Sequence, residues 1–115
     1  MTLDPECIFC KIIEGQIPAE IIYRNDNVLA FNDLNPQAPT HVLIIPTLHA
    51  ENAAAVAAIS PTIIAAMHRA ADEIATERGL NGYRTLFNTG ADAGQSVFHA
   101  HLHLIGGRVL AWPAG

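Results

Sequence analysis

Lysine is almost absent from this chain: Lys11 is the only one in 115 residues, beside five arginines and eleven acidic side chains. The formal net charge is -5. A nucleic-acid binder needs a basic surface to displace the counterions of the phosphate backbone, so this balance excludes nucleic acid as the expected partner. A small anion stays within reach, because backbone amides and a few neutral side chains can supply a local field. Charged residues of both signs make up 15% of the chain and hydrophobic residues 50%, a composition that argues against disorder. Long apolar runs are lacking as well: the Ala and Ile come in short stretches, far below the ~20 residues of a membrane span. No basic-then-apolar leader opens the sequence. These absences predict one cytoplasmic domain over residues 1–115, with no membrane partner, long enough to bury a core without disulfides.

Cysteine is nearly as scarce. The two present, Cys7 and Cys10, lie in "CIFC". At that spacing in a cytosolic chain they suggest metal binding or redox chemistry more than a structural disulfide. No strand-then-motif setting of a thioredoxin-like domain surrounds them, which weakens the redox alternative. Two free cysteines packed in a helix remain a third reading.

The rest of the chain divides into short elements. "DPECIFCKIIEGQIP" predicts a short helix with Asp4 as cap, Pro5 in the first turn and Gly15 as stop. "EIIYRNDNVLAFND" predicts two strands joined by the turn Asn25-Asp26-Asn27. The two prolines of "LNPQAP" predict a loop, and "THVLIIP" predicts a buried strand. Ser60-Pro61 is expected to cap one long helix, with Ile63, Ile64, Met67, Ala70, Ala71 and Ile74 on one face and Gly79 as its end. "YRTLFN" and "FHAHLHLI" are the fourth and fifth strands, separated by the small-residue loop "NTGADAGQS". The expected class is α+β, an antiparallel sheet with one long and one short helix.

Into the fifth strand fall three of the six histidines, in "SVFHAHLHLIGG". Alternation puts His99, His101 and His103 on one side and Ala100, Leu102 and Leu104 on the other. The outer pair would stand roughly 13 Å apart along the strand, too far to share one ion whose ligand nitrogens must come to about 2 Å. The row therefore divides its labour. A neutral imidazole is a good nucleophile toward phosphorus and a good leaving group. The adjoining loop offers Gly94, where backbone can approach a ligand closely, the amides of Ser96 and Val97, and the Ser96 hydroxyl. The plainer alternative is an exposed strand face that happens to carry histidine, and Asp33 and Asn88 can be simple strand-end residues.

His99-Ala100-His101-Leu102-His103-Leu104-Ile105 also resembles the histidine-triad pattern, in which histidine alternates with hydrophobic residues. The likeness continues through "CIFCKIIEGQIPAEIIY", "FNDLNPQAPTHVLIIP", "LNGYRTLFNTGADAGQSVFHAHLHLIGGR" and the terminal "WPAG". It runs from residue 7 to the end and is unspecific only around residues 50 to 78. These motifs resemble the Hint branch of the histidine-triad (HIT) superfamily, in its bacterial type with a CxxC zinc motif.

That resemblance implies a dimerising fold and the hydrolysis of purine nucleoside phosphoramidates, typically AMP joined to an amine. It implies that His101 is the nucleophile, that His103 contacts the phosphate and the leaving atom, and that His41 supports the nucleophile. Asn88, Gln95 and Ser96 match phosphate and leaving-group contacts, Asp33 the acceptor of both ribose hydroxyls, and Phe31 and Leu34 the neighbours of the base. It further implies a structural zinc on Cys7, Cys10, His49 and His99, with no organic cofactor, and a homodimer whose Trp112 tail shapes the partner's leaving-group pocket. His68 receives no role. "PTLHAEN" departs from close Hint relatives, which often carry lysines before the second histidine. Dinucleoside polyphosphate hydrolysis and a non-catalytic, zinc-stabilised nucleotide-binding or adaptor module are the alternatives.

Overall fold

Two-residue alternation in three neighbouring strands decides the architecture. The structure is a computed structural model that describes residues 3–115. Its strands are β1 (Ile21–Arg24), β2 (Val28–Asn32), β3 (Thr40–Pro46), β4 (Tyr83–Leu86) and β5 (Leu102–Gly106). They form one open sheet in the order β1-β2-β3-β5-β4, every pair antiparallel. Val28, Ala30, Val42, Ile44, Leu102 and Leu104 pack on one face against Met67, Ala70, Ala71 and Ile74 of the long helix α3 (Pro61–Glu77). The alternate residues Leu29, Phe31, Leu43 and Ile45 pack on the other face against Phe9 and Ile12 of α1 (Ile8–Ile13). With both faces covered, β3 is buried at all seven positions, and the chain's longest strand needs no polar alternation.

The outer strands are tied to α3 by tyrosines. Tyr23 of β1 donates its hydroxyl to Glu73 at 2.5 Å, and Tyr83 of β4 donates to Asp72 at 2.9 Å. Adjacent acidic residues on one helix thus hold opposite edges of the sheet.

Three expectations from the sequence need correction. First, the described residues form three α-helices, not two: α2 (Ala53–Ile59) precedes α3. Asn52 caps it by accepting from the Ala55 amide at 2.9 Å, and Val56 is its one fully buried residue. A run of alanines carries no amphipathic stripe, so periodicity is silent there. Ser60 ends α2 and precedes α3 with extended backbone, φ -157° and ψ 102°. Pro61 bars that residue from helical geometry, which splits the helical run in two.

Second, α1 is capped by Cys7, whose sulfur accepts from the Cys10 amide at 3.5 Å, while Asp4 closes the preceding turn on Glu6. Third, β5 begins at Leu102, so His99 and His101 precede the ladder. Pro46 has no amide with which to extend the β3–β5 pairing, and the Ala100 amide bonds to Ala50 instead, at 2.8 Å. The alternation of faces survives the change. Ala100 packs under α2 with Leu48, Ala50 and Val56, and Leu102 and Leu104 lie in the main core.

Leu104 is fully buried and Leu34 fully exposed. Leu104→Ala should therefore lower the unfolding free energy by about 2–5 kcal/mol, while Leu34→Ala should leave it within ~0.5 kcal/mol. Urea denaturation of the two variants beside the parent measures both, and equal losses would contradict this core assignment.

Candidate active site and metal group

Backbone groups fix which nitrogen of each histidine carries the proton. His101 is 8% exposed, and its Nδ1 lies 2.8 Å from the His99 carbonyl oxygen. An oxygen can only accept, so Nδ1 carries the hydrogen and Nε2 keeps its lone pair. The ring stands edge-on to Phe9, with centroids 5.2 Å apart. A neutral imidazole in this tautomer has a free nucleophilic nitrogen and no freedom to flip.

His41 is set by the opposite kind of group. The Gln37 amide donates to His41 Nδ1 at 3.0 Å, so the His41 hydrogen is on Nε2. That Nε2 lies 2.9 Å from His103 Nδ1 and 3.3 Å from Asp33 Oδ2. The sheet register brings them together. Leu43 pairs with His103 across β3–β5, and His41 sits two residues away on the same face, a diagonal neighbour. His103 Nδ1 therefore accepts, and its Nε2 carries a hydrogen. His103 Nε2 is buried and has no partner among the described residues. A buried donor left unmatched is costly unless a ligand completes it. Burial, with His101 and His41 nearby, pulls the His103 pKa down to about 4 against the opposing effect of Asp33. The ring is a neutral hydrogen-bond donor at physiological pH.

The resemblance assigned His41 to the support of His101; its closest ring contact here is His103. Asp33, His41 and His103 also bring three potential ligand atoms within 4.8 Å of one another. The directions of the bonds favour a proton-bearing chain over a metal there, because His41 would have to lose its Nε2 hydrogen while Nδ1 already accepts one.

A different logic governs Cys7, Cys10, His49 and His99. Cys10 Sγ lies 3.4 Å from His49 Nδ1 and 3.5 Å from His99 Nδ1, Cys7 Sγ lies 3.5 Å from His99 Nδ1, and the two Nδ1 atoms are 3.3 Å apart. Tetrahedral ligands at 2.0–2.3 Å from one ion would stand about 3.3–3.8 Å apart. His99 Nε2 donates to the Pro46 carbonyl at 3.1 Å, which leaves Nδ1 as a lone pair aimed among the sulfurs, the outer-shell arrangement of metal-bound histidine. Burial pushes the Cys10 thiol up to about 11 and His99 down to about 4. These four side chains could hold one metal ion.

The remaining sequence candidates are placed unevenly. Phe31, buried, stands edge-on to Phe9 with centroids 5.6 Å apart. Asp33 follows β2, and its backbone amide bonds to the His41 carbonyl at 2.9 Å. Asn88 lies two residues beyond Leu86, the ladder partner of His103, and its side-chain nitrogen would stand 3.9 Å from a Cβ placed at Gly94, which has φ +96°. The amides of Gly94 and Gln95 bond within the loop, to Ala91 and Gly90, whereas those of Ser96 and Val97 meet no protein acceptor among the described residues. The Gln95 side chain lies under this loop: it accepts from the Gly90 amide and donates to the Glu51 and Val97 carbonyls. Ser96 and Val97 line a cavity of about 500 Å³ together with Cys7 and His49. Trp112, 83% exposed, joins no cluster of its own chain, and His68 is an exposed residue of α3 against Phe87.

Sequence reasoning missed Phe9, the ring between α1 and the histidines, and three backbone partners: the Gln37 amide and the His99 and Pro46 carbonyls. Phe9 was legible as the one aromatic inside "CIFC". Backbone groups leave no trace in residue identity.

The HIT domain family model matches residues 14–110. An uncharacterized HIT-like protein of Synechococcus elongatus is 45% identical over 98% of this chain and 100% of its own length. The purine nucleoside phosphoramidase of Escherichia coli K12 is 45% identical over 91% of this chain and 90% of its own. The crystal structure of a HIT family hydrolase from Legionella pneumophila superposes with a TM-score of 0.91 at 45% identity, covering 96% of this chain and 100% of that one. Sequence and backbone agree over nearly the whole length, and the chain belongs to the HIT domain family.

Proposed function

We propose that this protein hydrolyses purine nucleoside 5′-phosphoramidates of the AMP–amine type through a nucleotide linked covalently to His101. The observation that carries this reading is the pair of fixed tautomers: an Nε2 lone pair on His101 beside an unmatched Nε2–H on His103. The 45% identical phosphoramidase supports the choice of reaction and base.

Asp33 accepts the ribose hydroxyls, with Phe31 and Leu34 near the base. His101 Nε2 attacks phosphorus, and the bond from phosphorus to the amine breaks. The leaving nitrogen takes its proton from solvent. His103 Nε2–H, the Asn88 amide and the amides of Ser96 and Val97 donate to the phosphate oxygens, strengthening as charge gathers there. Water then attacks the same phosphorus, releases His101 with its lone pair restored, and yields the nucleoside monophosphate. Gln95 acts from below, by shaping the loop. Trp112 meets the leaving group of a partner subunit in a homodimer.

The metal group takes zinc, the ion that two thiolates and two imidazoles in a tetrahedron favour. With four protein ligands zinc is closed to substrate and structural. It holds α1 to the segment that precedes β5.

AMP release from adenosine 5′-phosphoramidate tests the reaction. The parent should turn over, and His101→Ala should lose more than about a thousandfold in kcat while still folding and binding AMP. A parent that binds AMP without turnover would sink the phosphoramidase reading.

Elemental analysis should find one zinc per chain. Cys10→Ser, or chelation of the parent, should lower the melting temperature by about 10 °C or more, equivalent to ~2 kcal/mol for a domain of this size. A protein purified free of metal, with a melting temperature that chelators do not move, would remove zinc from the assignment.

A further inference from the structure

The tautomer of His41 depends on one backbone amide, and that amide belongs to a residue held on three sides. Gln37 donates its N–H to His41 Nδ1 at 3.0 Å, its side-chain amide to the Asn35 carbonyl at 3.0 Å, and accepts at its carbonyl from Arg108 at 2.9 Å. Asn35 in turn donates its amide to Asp33 Oδ1 at 2.8 Å. The loop after β2 therefore carries both the Asp33 carboxylate and the group that orients His41.

Arg108 reaches this loop from the far end of the chain. It follows the pair Gly106-Gly107 at the end of β5, and its second guanidinium nitrogen donates to the Val109 carbonyl at 3.1 Å. The planar fork thus spans the loop and the start of the C-terminal tail. Close packing sets where it starts from. Gly107 has φ +91°, and a Cβ there would stand 3.0 Å from Pro39 Cβ and 3.4 Å from the Thr40 amide nitrogen. A side chain there would be strained by the positive φ and would press the tail against the loop. Arg108 is exposed and faces carbonyl oxygens, so its contribution is direction more than stability.

We infer that Arg108 is a positioning residue for the reaction. It holds the Gln37–Ala38 peptide by its carbonyl and so restrains, across the Gln37 Cα, the preceding peptide whose N–H meets His41 Nδ1. His41 then presents Nε2–H to His103, and His103 keeps its own Nε2–H for the phosphate. The tail that carries Trp112 and the histidines are linked through this guanidinium. The kinetic consequence rests on the proposed phosphoramidase reading, whereas the tautomer consequence needs no substrate.

The test uses the full chain as purified, with R108A and R108K beside the parent. Long-range 1H–15N correlation spectra of the imidazoles should place the hydrogen of His41 and of His103 on Nε2 in the parent, and that of His101 on Nδ1. In R108A the two nitrogens of His41 should move toward each other as the tautomers mix, with His101 unchanged. For adenosine 5′-phosphoramidate, kcat should fall about tenfold and KM change by less than about twofold. R108K, which keeps the charge and can reach one carbonyl, should lie between R108A and the parent in both readouts. A melting temperature close to the parent's is expected for both variants, because Arg108 is exposed.

An R108A protein with the parent's His41 pattern overturns the inference, whatever its kinetics. So does a mixed His41 pattern with unchanged kcat, because the tautomer would then be irrelevant to turnover. If R108A failed to fold, R108K with the parent's pattern and parent kinetics would overturn it equally. If the parent itself showed no turnover, the phosphoramidase reading would fail, and the imidazole spectra alone would decide whether Arg108 orients His41.

Discussion

The hydrogen bond from His101 Nδ1 to the His99 carbonyl, 2.8 Å long, joins two residues whose side chains have unrelated tasks. His99 sends its ring into the cluster of Cys7, Cys10 and His49, while its carbonyl sets the nitrogen that His101 exposes. The His99 ring is fully buried and its Nε2 donates to Pro46, so close packing around it restrains the backbone that carries this carbonyl. On the proposed reading, a metal held by this group would bear on His101 through geometry without touching substrate. The Phe9 ring packs edge-on to both histidines, so α1, which supplies both cysteines' neighbourhood and this ring, is part of the same support.

Much of this was legible in the sequence. Turn residues and short apolar runs placed the first four strands, β3 as a run buried on both faces, and alternation gave the faces of the fifth. The spacing of the histidines put them on one face, and the face is as expected, although His99 and His101 lie before the ladder. The residues given by the family resemblance as metal ligands come together from three separated segments. The alanine helix was not legible, since alanine carries neither an amphipathic stripe nor a breaker. The link from His41 to His103, and not to His101, was hidden in the register: Leu43 opposite His103 is a fact of pairing that no residue name encodes. The groups that set the tautomers were hidden more deeply still, being peptide N–H and C=O at Gln37, Pro46 and His99.

Tautomer direction also separates the two clusters that distance alone makes look alike. In the first, the His99 ring donates outward to Pro46 and turns a lone pair inward, as a cation requires. In the second, the His41 ring accepts from Gln37 on its outer side and turns a hydrogen inward, toward His103 and Asp33. The same residue type is thereby given opposite polarity by one backbone group. A buried site amplifies the difference, because low dielectric raises the penalty of presenting the wrong end of a dipole.

The shortage of cations in the sequence acquires a meaning at this site. On the proposed reading both substrate and product carry a negative phosphate, yet the donors converging on it are neutral: the His103 N–H, the Asn88 amide and the loop amides. Burial keeps His103 uncharged by lowering its pKa to about 4. A fixed positive charge would attract the ground-state anion and the departing monophosphate alike, and uniform binding of that kind does not raise kcat. Dipoles held in place by the sheet and by Gln95 gain most when charge accumulates on the phosphoryl oxygens, and they need no reorganisation to do so. The -5 chain is thus compatible with a phosphate site because the field there is local and built from oriented hydrogen bonds. Its strength depends on the same backbone contacts that fix the tautomers.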